Sequence, residues 1–468
     1  MQIVKIISTI FFITFLVGCT KQVPSDKVTI LEEKKALTEQ VLLEKTEEKI
    51  INKIPEYILT KNEKEFLKIL EADKYASLCG NLDEYLFIKN MPNSEKKSAQ
   101  LKELFYNYAN NLNNSCIDQD SFNSTLKKSK YKKNKQFYEM YNAKLDKESL
   151  LNQYSLNNSS IEKILEKYTP KHPDFFKLIE KLDISKLSKI EYNKLRLNIE
   201  RLKLLKYAGN DNFIQLNVPS FDFSLYEEGK KTRSFGTVVG EKETQTPILS
   251  SKLSYFIINP TWNIPDSIAK ETIIPNALKD KNYLKRKNIV IRKNYKLDSK
   301  KFRFKDIKWK KYLKKHVKYI PYKFIQLPSS TNGMGRVKFM FPNEYAVYMH
   351  DTIGTWRFKS NKEKIRFVSH GCVRLEHPIS FMKHITTNYT PKSYKSIRKT
   401  YLNNEMKTVG LSKKIPVHIT YITSSIKKDG KVSFHKDVYG YDKIQKLNFS
   451  PYTQTVLLSE KNKNEQIN

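Results

Sequence analysis

The chain has 468 residues, enough for two or three domains. A hydrophobic fraction of 39% and an aromatic fraction of 12% exclude a largely disordered chain, and only 13 glycines exclude long Gly-rich repeats. The net charge of +36 comes overwhelmingly from Lys residues scattered beside Asn, Ile and Tyr, with no finger, ribonucleoprotein or helix-turn-helix pattern. The charge therefore reads as a broadly basic surface, and no nucleic-acid partner is expected.

Met1–Lys5 is charged, and Ile6–Val17 is an apolar run too short for an ordinary transmembrane helix. The run ends in Leu16-Val17-Gly18-Cys19 before polar Thr20, which resembles the lipobox of bacterial lipoproteins. That resemblance implies a signal peptide over 1–18, acylation of Cys19 and a membrane anchor on the periplasmic side. An ordinary signal peptide or anchor helix with a chance Cys is the alternative. Thr20 carries no acidic retention cue, which points to the outer membrane. Residues 19–55, rich in Lys and Glu, read as a tether. Three further cysteines remain. In an oxidising compartment Cys79 and Cys116 either pair or stay as two buried thiols, and Cys372 is the odd thiol.

Residues 56–210 read as a helical scaffold domain. Ser159-x-x-Glu162 and Ser188-x-x-Glu191 are capping-box patterns, each followed by apolar residues at helical spacing, and Gly209-Asn210 can end the second helix. From Asn212 the period becomes two. Phe213–Val218, then Phe221, Phe223 and Leu225, predict strands, with a hairpin turn at Tyr226–Lys230, followed by Thr237–Gly240 and Leu253–Ile258. Residues 262–330 interrupt this pattern with a helix at Ile268–Ile274 and a Lys- and aromatic-rich stretch, read as an insertion capping the β-domain. Alternation resumes with Val337, Phe339 and Phe341, turns at Pro342-Asn343, and continues through Ala346, Tyr348 and His350. The last strands are Val417–Ile422 and Lys431–Phe434 around Asp429-Gly430. The β-domain spans 211–445, and 446–468 reads as a polar tail. The fold class is multi-domain α+β.

The chemistry concentrates in Ser369-His370-Gly371-Cys372-Val373-Arg374. A Cys after Gly suits a nucleophile on a tight turn whose backbone N–H groups can form an oxyanion hole. His350, 22 positions earlier, ends a strand and shares a face with Tyr348. An imidazole within hydrogen-bond reach can turn the thiol into a thiolate–imidazolium pair and later return the proton to a leaving amine. Three bland readings stand beside this one: Cys372 as a buried structural thiol, His350 as a satisfied core histidine, and zinc on His370, Cys372 and His377. The last has no standard spacing and no second nearby Cys, so no metal is expected.

Ser369–Arg374 with upstream His350 resembles the L,D-transpeptidase (YkuD-type) catalytic domain. Gly335–Asn343, Tyr345–Thr352, Ile258–Trp262, Pro416–Ile419 and Asp437–Asp442 resemble its large Gram-negative branch. The resemblance implies a mainly β catalytic domain with a capping insertion, acting on peptidoglycan stem peptides without a cofactor. It makes Cys372 the nucleophile, His350 the general base and acid, and the Gly371 and Cys372 amides the oxyanion hole. His370 assists, while Tyr348, Arg374 and Ser369 line the substrate site; for Arg374 a structural salt bridge is the alternative. The implied reaction joins two stems through 3→3 cross-links. Release to water, transfer to an envelope protein, or a wall-binding lipoprotein without activity are the rivals. The His-to-Cys interval is longer than usual, and no third, His-orienting group is evident; Asp351 is left unassigned.

Overall fold

A computed structural model describes residues 38, 57–74, 76–128, 138–139, 141, 143–156, 158–205, 212–317, 319–359 and 365–456. The expected signal peptide, the expected acylation site Cys19 and, Thr38 apart, the expected tether lie outside the described residues. The chain divides into Met1–Ile58 and a unit from Leu59 onward that holds both the helical region and the β body.

Among the described residues, eight helices build the N-terminal region: α1 (Lys61–Ala72), α2 (Leu82–Lys89), α3 (Glu95–Asn114), α4 (Gln119–Lys128), α5 (Lys147–Leu156), α6 (Ile161–Leu165), α7 (Phe175–Glu180) and α8 (Lys189–Lys203). Their caps follow the chemistry of small hydroxyls. Ser188 and Glu191 form the expected capping box on α8. At α6 the cap is Ser160, one residue later than expected, because its hydroxyl reaches the Lys163 N–H and lets Ile161 and Ile164 turn inward together. Thr60 and Glu63 make a further box that the sequence reading passed over. Aromatic contacts knit the helices: Phe66 meets Phe105 edge-on at 5.3 Å, and Phe105 stacks on Tyr154 at 4.5 Å. Cys79 and Cys116 are joined in a disulfide, with Cα atoms 5.8 Å apart.

Helix α8 links this region to the β body and stops at Lys203, earlier than Gly209-Asn210 suggested, with Leu204 as C-cap; residues 206–210 are not described. Every residue from Leu195 to Lys203 is buried. Toward the helices, Glu200 accepts from Arg196 (3.2 Å), Lys203 (2.9 Å) and the Cys116 amide (2.8 Å). Toward the β body, Arg201 donates to Asp442 and Gln445, both at 2.7 Å. Residues 446–456 differ from the expected free tail. The Lys446 carbonyl accepts from Asp118, and Thr455 meets the Tyr192 hydroxyl at 2.6 Å, so this segment packs on the helices.

The β body contains β1 (Phe213–Asn217), β2 (Asp222–Glu227), β3 (Lys230–Gly240), β4 (Leu249–Ile258), then, beyond the insertion, β9 (Val337–Met340), β10 (Met349–His350), β11 (Phe367–Ser369), β12 (Val373–Leu375) and β13 (Lys407–Thr420). The order β11-β3-β12-β10-β9-β4-β13-β1-β2, with β2 also paired to β3, makes the sheet close on itself like a barrel. The β2–β3 turn falls at Glu228-Gly229, both with positive φ, as two-residue hairpins prefer. Phe221 leaves the expected alternation with a φ of 54°, because residues 218–221 make the turn between β1 and β2. One sheet face carries Val337, Phe339, Met349, Val373 and Leu375 into the main core. It is covered by the helix Pro378–Tyr389, whose Phe381 meets Phe223 at 4.7 Å and Phe339 at 4.9 Å, followed by the helix Tyr394–Leu402. The hairpin β14 (Ser424–Ile426) and β15 (Val432–Phe434) follows β13.

The insertion has its own core. Strands β5 (Trp262–Ile264), β8 (Lys323–Gln326), β6 (Ile289–Arg292) and β7 (Lys301–Phe302) pair in that order. Ile264, Ile274, Ile291, Trp309 and Phe324 pack beneath them. The expected helix is there but longer, running from Asp266 to Lys279 through a π turn at Ala269–Ile273. The stem is tied to the β body by Asn332, whose side-chain amide donates to the carbonyls of Pro260, Gln326 and Leu327.

Glu200→Ala would leave Arg196 and Lys203 buried without their anion. The expected loss is about 3–5 kcal/mol in urea unfolding. A loss below about 1 kcal/mol would mean that the cations find other partners.

Candidate active site

Three neighbouring strands set the site. His350 on β10 lies opposite Lys338 of β9 on one side and opposite Arg374 of β12 on the other. Its neighbour Met349 lies opposite Phe339 and Val373, all three in the main core. Because side chains alternate, His350, Lys338 and Arg374 project from the opposite face. The Val373 amide donates to the Tyr348 carbonyl at 3.0 Å, which extends the parallel register and sets Tyr348 across from Cys372. Lys338, Tyr348, His350, Cys372 and Arg374 therefore share one face.

Strand β10 is shorter than the alternation of Ala346, Tyr348 and His350 suggested. Ala346 takes a φ of 54°, and the Asn343 side chain accepts the Tyr345 and Val347 amides that a strand ladder would have used. At its other end the Asp351 carboxylate accepts the Arg336 amide at 2.8 Å and the Thr352 amide at 2.7 Å. Gly335, with a φ of 62°, is required there because a Cβ would run into the Asp351 side chain.

The Cys372 turn is built by its neighbours. Gly371 has a φ of 108°, open to glycine and strained for other residues. The buried Ser369 hydroxyl donates to the Cys372 carbonyl at 2.6 Å and accepts the Gly371 amide at 3.2 Å. Thr246 donates to the Gly371 carbonyl and Thr244 to the Ser369 carbonyl, both at 2.8 Å. This differs from the expectation in three respects. Ser369 shapes the turn and has no polar atom left to meet a substrate. The Gly371 N–H is already engaged by the Ser369 hydroxyl. His370 points to solvent, outside the enclosed cluster. Thr244 and Thr246 were missed, since nothing in their local sequence marks them as backing a turn over a hundred residues away.

His350 is only 2% exposed. Its Nδ1 lies 2.6 Å from the Asp351 carbonyl oxygen. A carbonyl only accepts, so Nδ1 carries the proton, and in the neutral ring Nε2 holds the basic lone pair. The group that holds the ring, left unassigned from the sequence, is the Asp351 backbone carbonyl, whose residue is fixed by its carboxylate's own bonds. Burial first, then the Arg374 cation, drive the His350 pKa down to about 3, with Lys338 adding to the fall and the backbones of Asp351 and Met334 opposing it. Burial likewise pushes the Cys372 thiol up, opposed by the Tyr348 backbone and hydroxyl and by Lys338 and Arg374. Cys372 keeps some exposed surface while its sulfur is enclosed.

His350 and Cys372 are diagonal neighbours across the β10–β12 pair and are not hydrogen-bonded to each other; Tyr348, directly opposite, supplies the polar contacts of the sulfur. The resting site thus holds a neutral imidazole and a neutral thiol, not the ion pair expected from residue types alone. The Tyr348 ring lies 5.9 Å from the His350 ring and 3.6 Å beneath the Lys338 ammonium, and its hydroxyl donates to Met334 Sδ at 3.5 Å at the stem of the insertion. Lys338 was not singled out in the sequence, although it sits between core positions Val337 and Phe339, where a charge must point to the other face.

Residues 211–409 match the L,D-transpeptidase catalytic domain, YkuD. A protein of Haemophilus influenzae named "Putative L,D-transpeptidase" is 29% identical over 254 residues, covering 53% of this chain and 48% of that protein. The chain thus spans about half the length of the curated relative it matches. Within the matched segment, β3, β9, β10 and β12 carry the enclosed cluster, and the match ends inside β13.

Because burial raises the thiol, labelling of Cys372 by iodoacetamide should be slow at pH 7 and accelerate as pH rises beyond the ordinary thiol range of about 8.5. Fast labelling at pH 6 would reveal a standing thiolate. Gly371→Ala, forced into a positive φ, should lower the thermal midpoint and slow labelling by displacing the turn.

Proposed function

We propose that this protein is a peptidoglycan L,D-transpeptidase that forms 3→3 cross-links through an acyl-enzyme on Cys372. The observation that carries the reading is the shared face of Cys372, His350 and Tyr348, with the imidazole held as a free base by a backbone carbonyl. The Cys372 sulfur loses its proton to His350 Nε2 and attacks the carbonyl of the third stem residue. The oxyanion forms against the Cys372 N–H, which meets no acceptor among the described residues. Collapse breaks the C–N bond, and the terminal D-Ala leaves with the proton from His350. A side-chain amine of a second stem then attacks the thioester, gives its proton to His350, and releases the thiol. His350 and Cys372 must close from diagonal to direct contact as substrate enters; catalytic bonds commonly tighten in that way.

The insertion forms one wall of the substrate site through Met334, and the helical region acts as scaffold. Anchoring through a lipid on Cys19 places the enzyme in the periplasm, at the outer membrane.

Incubation with purified tetrapeptide muropeptides should yield 3→3 dimers. Tripeptide alone would identify a hydrolase, and transfer to an envelope protein would identify an anchoring enzyme. Cys372→Ser should abolish turnover, because an alkoxide is far harder to form than a thiolate. His350→Ala should cost on the order of 100-fold or more in kcat. Since His350 stays neutral down to acidic pH, kcat/KM should show no protonation limb near pH 6.5; a limb there would shift the base role elsewhere. Carbapenem acylation of Cys372, seen as a mass increase and absent in Cys372→Ala, would exclude a protein that only binds the wall.

A further inference from the structure

A cavity of about 310 Å³ opens on the side of the barrel away from the thiol. Strand order fixes its position. Going round the barrel from β10, three strands intervene before β1 by either route: β9, β4 and β13, or β12, β3 and β2. Ile214 and Leu216 of β1, and Phe223 and Leu225 of β2, fill the core, so the side chains that alternate with them face outward. Four of these, the buried Gln215, Asn217, Ser224 and Tyr226, make the floor. Leu178 of helix α7 forms one wall and the hairpin β14–β15 another, with Lys231, Lys427 and Lys428 exposed at the mouth. None of these residues belongs to the catalytic cluster.

The floor is uncharged and dense in hydrogen-bonding groups. His172 Nδ1 accepts the Asp174 amide at 3.1 Å, so its Nε2 carries the proton and donates to Gln215 Oε1, also at 3.1 Å. Burial holds the His172 imidazole below its ordinary range, and burial, then Lys194 and Lys427, bring His435 down to about 4. Both rings are neutral at pH 7, while the carboxylates of Asp174 and Asp222 in the lining disfavour an anion inside. The hydroxyls of Ser224, Tyr226 and Ser433 meet no donor or acceptor among the described residues, yet none is sealed from the cavity. Leu178, Ile422 and Ile426 supply apolar surface beside them. A fitting ligand carries several hydroxyls, which can donate to a carboxylate and both donate to and accept from Ser and Tyr, around apolar C–H faces. A pyranose ring has that pattern, and the volume sits at the lower end of the range of ligand clefts, about 300–1,000 Å³.

We propose that this cavity is a saccharide subsite that takes a pyranose ring of a glycan strand. The inference rests on the transpeptidase reading only for naming the wall glycan as the source of that ring. A strand held here passes on the opposite side of the barrel from the strand whose stem enters the catalytic face. The subsite therefore holds the protein to a neighbouring strand and takes no part in the chemistry at Cys372.

The test is calorimetry on the full chain carrying Cys372→Ala, with the tetramer of N-acetylglucosamine as probe. Saturable binding is expected. Asp222→Asn should weaken it roughly 10- to 100-fold, the range of one charged hydrogen bond. Ser433→Phe, which puts a ring into the cavity from the half-buried hairpin, should abolish it. Both variants should keep the native thermal midpoint and, with Cys372 restored, turn over soluble muropeptides as the native protein does. Absence of binding by the parent, or binding unchanged in both variants, would overturn the subsite. Competition by inorganic phosphate would overturn it too, since it would mark an anion site. Tighter binding of maltotetraose would overturn the wall glycan as its ligand. Glycan binding with no turnover of any stem by the native protein upholds the subsite and sinks the transpeptidase reading; turnover without glycan binding does the reverse.

Discussion

Parallel pairing of the two-residue strand β10 with β12 is the constraint on which the site depends. It fixes which residues face the core and which face outward, so the thiol, the imidazole, the tyrosine and the two cations are placed by backbone hydrogen bonds and not by side-chain preference. A strand so short is set mainly by what brackets it. The Asn343 knot precedes it, and the Asp351 carboxylate follows it. The same Asp351 offers its carbonyl to the imidazole, so one residue ends the strand and chooses the tautomer.

Electrostatics in this enclosed face run against a standing ion pair. Burial disfavours both the imidazolium and the thiolate, and the flanking cations act on the two groups in opposite directions. They repel a proton from His350 and attract negative charge to Cys372. The result is a thiol that stays protonated at rest, next to a base that stays free.

Much of the transpeptidase domain was legible because its signals are local. Alternation in 213–218, 253–258 and 337–341, and the Gly371-Cys372 pair, are statements about neighbours in sequence. The two helices over 378–402 escaped because they follow the motif without clear punctuation, and their meaning lies in Phe381 filling the space beside Phe223 and Phe339. Lys338 escaped because one Lys among many carries no signal until its strand partners are known. Ser369 and Gly371 were read for the right turn but with the wrong hydrogen bonds. A hydroxyl two residues from a glycine can serve either backbone or ligand, and only the turn's geometry decides.

Helix α8 ties the start of the β body to the far end of the chain. The family boundary at residue 211 cuts behind Arg201, whose guanidinium satisfies Asp442 and Gln445 far along the chain. A segment starting at that boundary would keep the recognisable catalytic pattern while stranding those groups. The contacts of this helix therefore lie on both sides of the matched segment: Arg201 precedes it, and Asp442 and Gln445 follow it.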